Sequence, residues 1–348
     1  MKNIYMRVIA IALCIITVFG IVAMILKQKD RDIPDNVTHV GSGREDESDI
    51  KADSIMITMN EGFSATADEF FYHALGLRNE YIYQYGEEIF AYDPDLSEDI
   101  LHEVDSILID NAAYTLWGHE VGFELTESDL AAFEEQVEQL KEYLIDTGST
   151  FEKHLKANNL TEELFRKVYL TNMYVNKFVS DYLISDMPNI EVTDEEVSKY
   201  LEEYTVLAAK HILIDDTSAP TYEEQLTIAE SILARIDKGE DFDSLMQEFS
   251  KDPGLESKPD GYTFRKGEFV PEFESVTIEL EIGEISGIVE SNYGLHIIQR
   301  IELDLEEVKN FVRQRKLEEK RLSYEQRLDP QTTELRNGLI LLEMKSVI

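Results

Sequence analysis

Cysteine, positive charge and long apolar runs are all scarce in this chain. One Cys occurs in 348 residues, and 32 Lys and Arg stand against 71 Asp and Glu, for a formal net charge of -39. A lone thiol excludes an intramolecular disulfide, so stability must come from packing; it says nothing of the redox compartment. So acidic a chain repels phosphate backbones and anionic headgroups, which argues against nucleic acid as a partner. The plain reading of the charge is solubility and exposed helix faces. Apolar residues at 43% and charged residues at 30% fit a globular protein. The length predicts two or three packing units of roughly 100 to 150 residues.

The one long apolar run is at the amino terminus. Val8 to Leu26 carries no charge and is flanked by Lys2, Arg7, Lys27, Lys29 and Arg31. At 1.5 Å per residue it reaches about 28 Å, enough for a hydrocarbon core of about 30 Å. A secretory signal has a shorter core and ends in small residues, whereas Ile21, Met24, Ile25 and Leu26 continue the apolar run. An uncleaved single-pass anchor is therefore expected, with 1–7 as a short cytoplasmic tail and the bulk of the chain outside the membrane. Leu13 before Cys14 is too bulky for a lipidation signal.

Residues 27–53 are polar and acidic without apolar periodicity, and read as a flexible tether. Ser54 to Asn60 alternates Ile55, Ile57 and Met59 against Met56 and Thr58, a short strand. Helical periodicity follows, with capping-box spacing at Thr66/Glu69, Thr126/Asp129, Ser149/Glu152 and Thr193/Glu196. Leu164, Val168, Val175, Phe178 and Tyr182 form an apolar stripe on a helix over roughly 161–185. Residues 54–200 are thus expected to form a helical domain. Its tyrosines (Tyr72, Tyr81, Tyr83, Tyr85, Tyr92) serve mainly helix packing on this reading, with a client-binding surface as the alternative.

From Tyr204 the pattern becomes mixed. Val206 to Ile214 is a β-rich run, Thr221 to Gly239 a capped helix, Phe242 to Phe249 and Pro271 to Glu279 further helices, and Gly294 to Ile301 a last strand. The predicted order over 204–302 is β-α-α-α-β. Residues 303–348 return to charged helix and end in an apolar tail, Gly338 to Met344, able to pair with the strand at 55–59. The mixed domain would then be an insertion in the helical one.

Five segments of the mixed domain carry a resemblance. They are Ala209-Lys210-His211-Ile212-Leu213-Ile214, Phe242 to Asp252 (FDSLMQEFSKD), Gly267 to Glu274 (GEFVPEFE), Gly283-Glu284-Ile285-Ser286 and Tyr293-Gly294-Leu295-His296-Ile297-Ile298. Together and in this order they resemble the parvulin-type peptidyl-prolyl cis-trans isomerases; each segment alone is short enough to arise by chance. The resemblance implies an α+β fold, FKBP-like, inserted in or appended to a mainly helical domain of the kind found in PrsA- and SurA-like foldases.

The resemblance also implies site residues. His211 and His296 correspond to two core histidines beneath the active site, and Asp252 to a position that is Asp or Cys in relatives; these are the expected catalytic groups. Tyr262, Phe269, Phe273 and Tyr293 are the expected substrate-binding residues, with Tyr262 standing where relatives usually carry Leu. Amide rotation faces a barrier of about 18 to 20 kcal/mol and breaks no covalent bond. Positioning in a dry aromatic pocket, with polar groups near the carbonyl, is enough to ease it. No cofactor and no metal are implied. A His-His-Asp zinc site is the competing reading, and it lacks a third histidine or an H-x-x-x-H pair. Asp215-Asp216-Thr217 stands where phosphate-reading relatives carry a basic cluster, which argues against a phosphate preference.

The expected function is a membrane-anchored, extracytoplasmic isomerase and foldase. Its partners would be unfolded or partly folded secreted chains with X-Pro bonds, and a homodimer is possible. Alternatives are a holdase whose parvulin domain has lost activity, and a surface binding protein.

Overall fold

A computed structural model describes residues 50–158, 160–339 and 341. The anchor expected at Val8 to Leu26, its tail and most of the tether lie outside the described residues. Among the described residues no helix is long and apolar enough to cross a membrane. The fold is α+β and divides into two compact units, one from the residues up to Asp186 together with those from Leu317 onward, the other Met187–Lys316.

The first unit is mainly helical. Strands β1 (Ile55–Thr58) and β2 (Ser64–Thr66) lead into helices α1 (Ala67–Tyr85), α2 (Ile89–Tyr92), α3 (Leu96–Glu120), α4 (Glu127–Asp146), α5 (Phe151–Ala157) and α6 (Glu162–Lys177). Capping boxes form at Thr66 with Glu69 and Thr126 with Asp129. The third predicted start shifts by one residue: Thr150, not Ser149, accepts from Lys153 N and caps α5. After α6 the chain widens into a π-helical stretch, Phe178–Ile184. That wider winding turns the predicted stripe: Leu164, Val168, Val175 and Phe178 are buried, but Leu183 takes the inner position and Tyr182 is exposed.

β1 departs from simple alternation, since Met56 and Ile57 are both fully buried. An irregularity in its pairing with β2 between Ile55 and Ile57 supplies the twist that turns consecutive side chains inward. The carboxyl-terminal partner of β1 is β7 (Gln331–Thr332), which pairs Ile57↔Thr332 and Thr58↔Gln331. This corrects the expectation for the apolar tail at 338–344. Its described residues Leu339 and Leu341 fill the core with Met56, Phe70 and Ile100 and do not extend the sheet. The tyrosines also divide. Tyr72 and Tyr81 pack against cores, whereas Tyr83, Tyr85 and Tyr92 are exposed.

The second unit begins with a 3-10 turn and α7 (Asp194–Glu203), whose capping box pairs Thr193 with Glu196. It continues as β3 (Val206–Ile214), α8 (Tyr222–Ile236), α9 (Phe242–Phe249), β4 (Tyr262–Arg265), α10 (Pro271–Glu279), β5 (Ile285–Ser291) and β6 (Gly294–Arg300). Strands β4 and β5 were not in the predicted order. The four strands form one antiparallel sheet in the order β4-β3-β6-β5. Ile212, Ile214, Leu295 and Ile297 pack one face against α8 and α9. Leu207, Ala209 and Ile298 pack the other with Phe264 of β4 and with Phe273 of α10. Helix α11 (Leu305–Leu328) serves both units. Val308, Phe311 and Val312 join α7 in the second, and Tyr324 and Leu328 join Trp117 and Phe178 in the first.

One buried ion pair stands in the first unit. Arg336, 2% exposed, donates from Nε and Nη2 to the Asp105 carboxylate at 3.0 and 2.6 Å. Arg336 Nη1 also reaches the exposed Glu98 at 3.3 Å, so removing Asp105 leaves the buried guanidinium only that longer bond, whereas replacing both Arg336 and Asp105 by apolar groups leaves no buried charge. Asp105→Ala is expected to cost about 3 to 5 kcal/mol of stability, and Asp105→Leu combined with Arg336→Met to recover most of it. Chemical denaturation of the three proteins checks this.

Candidate functional site

The site is built from strand register. His211 lies opposite Ile298 and Leu213 opposite His296, so the two histidines are diagonal neighbours on one face of the β3–β6 pair. Their rings lie 5.3 Å apart at 18°, and His211 Nδ1 is 3.1 Å from His296 Nδ1. The β5–β6 turn that brings His296 in is tight. Gly294 has φ +130°, and a Cβ there would lie 2.3 Å from the Ile214 carbonyl oxygen, so only glycine fits.

Asp252 arrives on the loop after α9 and reaches His211 Nε2 at 3.2 Å. Tyr262, paired with Ala209 across β4 and β3, donates its hydroxyl to the same Asp252 oxygen at 2.5 Å. The Gly254 amide donates to the other oxygen at 3.0 Å. Burial pushes the Asp252 acid up, but the bonds from His211, Tyr262 and Gly254 win and hold it at about 2. Burial, with His211 beside it, pulls His296 down to about 4 against the opposing pull of Asp252.

These facts fix an order of donors. An ionised Asp252 accepts, so His211 Nε2 carries the proton; with that ring neutral, its Nδ1 accepts from His296 Nδ1–H. His296 Nε2 then accepts from Ser291 Oγ, 2.7 Å away, and Ser291 Oγ accepts from the Tyr293 amide at 3.1 Å. Every polar group in the chain from Tyr293 N to Asp252 is satisfied by this order, and burial favours the neutral form of His296 that it requires.

The aromatic side is contiguous with this chain. Phe273 presents its ring at 5.2 Å and 85° to His211 and at 5.8 Å and 78° to His296. Phe269 stacks on Phe273 at 5.0 Å and meets Tyr262 at 5.4 Å. Phe273 and Phe264 are buried, as are the histidines, whereas Phe269 and Tyr262 are half-buried. The first group makes the floor, and the second is the part a ligand can touch. Tyr293 does not join them: it is 64% exposed at the β5–β6 turn, and only its amide serves the network.

Three residues escaped the reading of the sequence. Ser291 anchors the far end of the imidazole chain. Phe264 closes the aromatic group, 4.3 Å from Phe269. Glu274, 6% exposed, accepts the amides of Gly267 and Phe269 at 2.7 and 2.9 Å and so fixes the loop that carries Phe269. Glu274 stands in the GEFVPEFE segment, and the periodic burial of α10 is the signal that marks it. Among the described residues no group of three His, Cys, Asp or Glu side chains could hold a metal ion. A hollow of about 470 Å³ in the same unit, lined by residues 201–207 with Ile278, Arg300 and Leu303, contains none of the candidate residues.

Residues 196–303 match the PPIC-type PPIASE domain family. This segment is similar to the parvulin-type peptidyl-prolyl isomerase domains, and foldase proteins named PrsA are similar to the chain within and beyond it. The foldase protein PrsA of Halalkalibacterium halodurans is 48% identical over 71 residues, 20% of this chain and 21% of that one. PrsA of Clostridium perfringens (strain 13) is 26% identical over 270 residues, covering 75% of this chain and 76% of the relative. The chain thus spans about a fifth to a third of the length of the first curated relatives it matches. A crystal structure of the peptidylprolyl isomerase PrsA from Bacillus anthracis shares 25% identity, covers 63% of this chain and 92% of its own, and superposes with a TM-score of 0.27.

The depressed His296 basicity predicts a pH effect. Unfolded, the imidazole titrates near 6.5; folded, near 4. Between those values the unfolded chain binds the extra proton, so stability is full above about pH 6.5 and falls toward pH 4, by about 3 kcal/mol. Asp252 adds a further loss below pH 3.8, its ordinary value, toward about 2. Thermal unfolding of the parent and of His296→Asn across this range checks it: the variant is expected to show the shallower slope from 6.5 to 4.

Proposed function

We propose that the chain is a peptidyl-prolyl cis-trans isomerase and foldase, with His211, Asp252 and His296 as its polar centre and Tyr262, Phe269 and Phe273 as its aromatic wall. The single observation that carries this is the closed chain of hydrogen bonds from Ser291 through both imidazoles to Asp252, set against a contiguous aromatic cluster. A prolyl ring laid on Phe269 and Tyr262 loses water from the amide before it. As that amide twists it loses conjugation, and its carbonyl meets a polar floor held in one protonation pattern, with no reorganisation left to make. No covalent step is required.

The wider reading follows the same line. Val8 to Leu26 would anchor the chain, with the isomerase outside the membrane acting on secreted polypeptides whose X-Pro bonds isomerise slowly enough to limit folding. Boundaries at 54–200, 204–302 and 303–348 fit that plan, and association as a homodimer is compatible with it. The match to PrsA of Clostridium perfringens over 270 residues supports the foldase reading. A second reading has one observation in its favour. Tyr83, Tyr85 and Tyr92 are 59%, 56% and 86% exposed on the helical unit, an aromatic surface able to hold unfolded chains without isomerising them.

A coupled proline-peptide assay on the full chain separates the readings. The parent is expected to accelerate isomerisation, with His211→Ala and Phe269→Ala each lowering kcat/KM by about 10- to 100-fold. A parent that suppresses aggregation of a denatured client but leaves the isomerisation rate at the uncatalysed value is the holdase.

A further inference from the structure

We infer that Tyr262 is a positioning residue, whose hydroxyl fastens the Asp252 carboxylate onto His211 and withholds that carboxylate from proton transfer. The inference rests on the isomerase reading for its catalytic meaning, though not for its geometry.

The lone pairs of Asp252 are the first support. Its Oδ2 accepts from His211 Nε2 at 3.2 Å and from Tyr262 at 2.5 Å, while Oδ1 accepts from the Gly254 amide at 3.0 Å. A carboxylate oxygen offers about two acceptor sites, so the oxygen facing the imidazole is full. It can take a proton only by giving up one of those two bonds. Asp252 is therefore held as a fixed negative charge that orients His211, with the oxygen facing the imidazole closed to proton transfer.

The space around the phenol is the second. A Cβ on Gly254 would sit 2.0 Å from the Tyr262 hydroxyl oxygen and 3.1 Å from Cζ, so the ring lies directly on the Gly254 backbone. No positive φ calls for glycine at 254; what calls for it is the phenol. Tyr262, Gly254 and Asp252 thus form one unit, with the Gly254 amide and the Tyr262 hydroxyl gripping the same carboxylate. The ring is held in turn by Phe269 at 5.4 Å and by His211 at 6.1 Å.

The groups that face Asp252 are His211 from β3 with His296 of β6 behind it, Tyr262 from β4, and the Gly254 amide of its own loop. Burial and the adjacent carboxylate push the phenol up from its ordinary value, so it stays a donor throughout the neutral and acid range. Asp252 consequently remains ionised well into acid, below the range in which His296 takes up its proton.

The test follows the carbon resonance of the Asp252 carboxyl group in the full chain as pH falls, for the parent, Tyr262→Phe and Gly254→Ala. Tyr262→Phe keeps the ring and its aromatic contacts, and Gly254→Ala displaces the hydroxyl from the other side. Both are expected to raise the Asp252 midpoint by about one unit. In an isomerase assay the acid limb of kcat/KM is expected to move up with it. An Asp252 midpoint in Tyr262→Phe equal to the parent's overturns the inference, whatever the activity. A parent without isomerase activity overturns the functional reading, while the carboxyl titration still decides the role of Tyr262.

Discussion

Everything at the candidate site depends on the pairing register of β3 with β6. Because side chains alternate along a strand, a slip of one residue would send His296 to the α8–α9 face, beside Ile212 and Ile214, and turn Leu295 and Ile297 away from that core toward His211. The register is pinned at the turn: a Cβ on Gly294 would strike the Ile214 carbonyl oxygen, so only glycine fits beside that strand. With that contact in place the pairing runs His211 to Ile298 and Leu213 to His296, and the imidazoles come together as the sheet closes.

What lies above that pair is held by single contacts of a different kind. The Phe269 loop hangs on Glu274, a buried carboxylate that spends its acceptor oxygen on two backbone amides, and the far imidazole hangs on the Ser291 hydroxyl. Burying a carboxylate in this way is tolerable because its bonds are short and charge-assisted. The aromatic wall and the polar floor consequently meet at Phe273, whose ring touches both histidines and Phe269 and whose helix carries Glu274.

Much of this was legible in the sequence, and the rest was hidden for physical reasons. The capped helices α1, α4 and α7 declared themselves through Thr with Glu or Asp three residues on, because a capping box is a local interaction. His211, His296, Asp252, Phe269 and Phe273 were marked by their segments, and the structure brings all five into one cluster. Strands β4 and β5 were invisible, since a four-residue strand within a Gly- and Pro-rich stretch and a strand interrupted by Gly287 carry too little periodicity to register. Ser291 and the hydroxyl of Tyr262 escaped because their partners are side chains brought near by folding, and no spacing rule announces such a bond. Tyr182 escaped for a subtler cause: the stripe to which it belonged is regular in an α-helix and breaks where the helix widens.

The route of the chain through its two units has a consequence for the order in which they can be completed. Every strand of the β4-β3-β6-β5 sheet lies between Val206 and Arg300, whereas β1 must wait for Gln331, 273 residues beyond Thr58. Contacts closed over short stretches form early, and those spanning most of a polypeptide form late. A chain emerging amino terminus first would thus possess a finished four-stranded module, imidazole pair included, while the helical unit enclosing it in sequence still lacked its final strand.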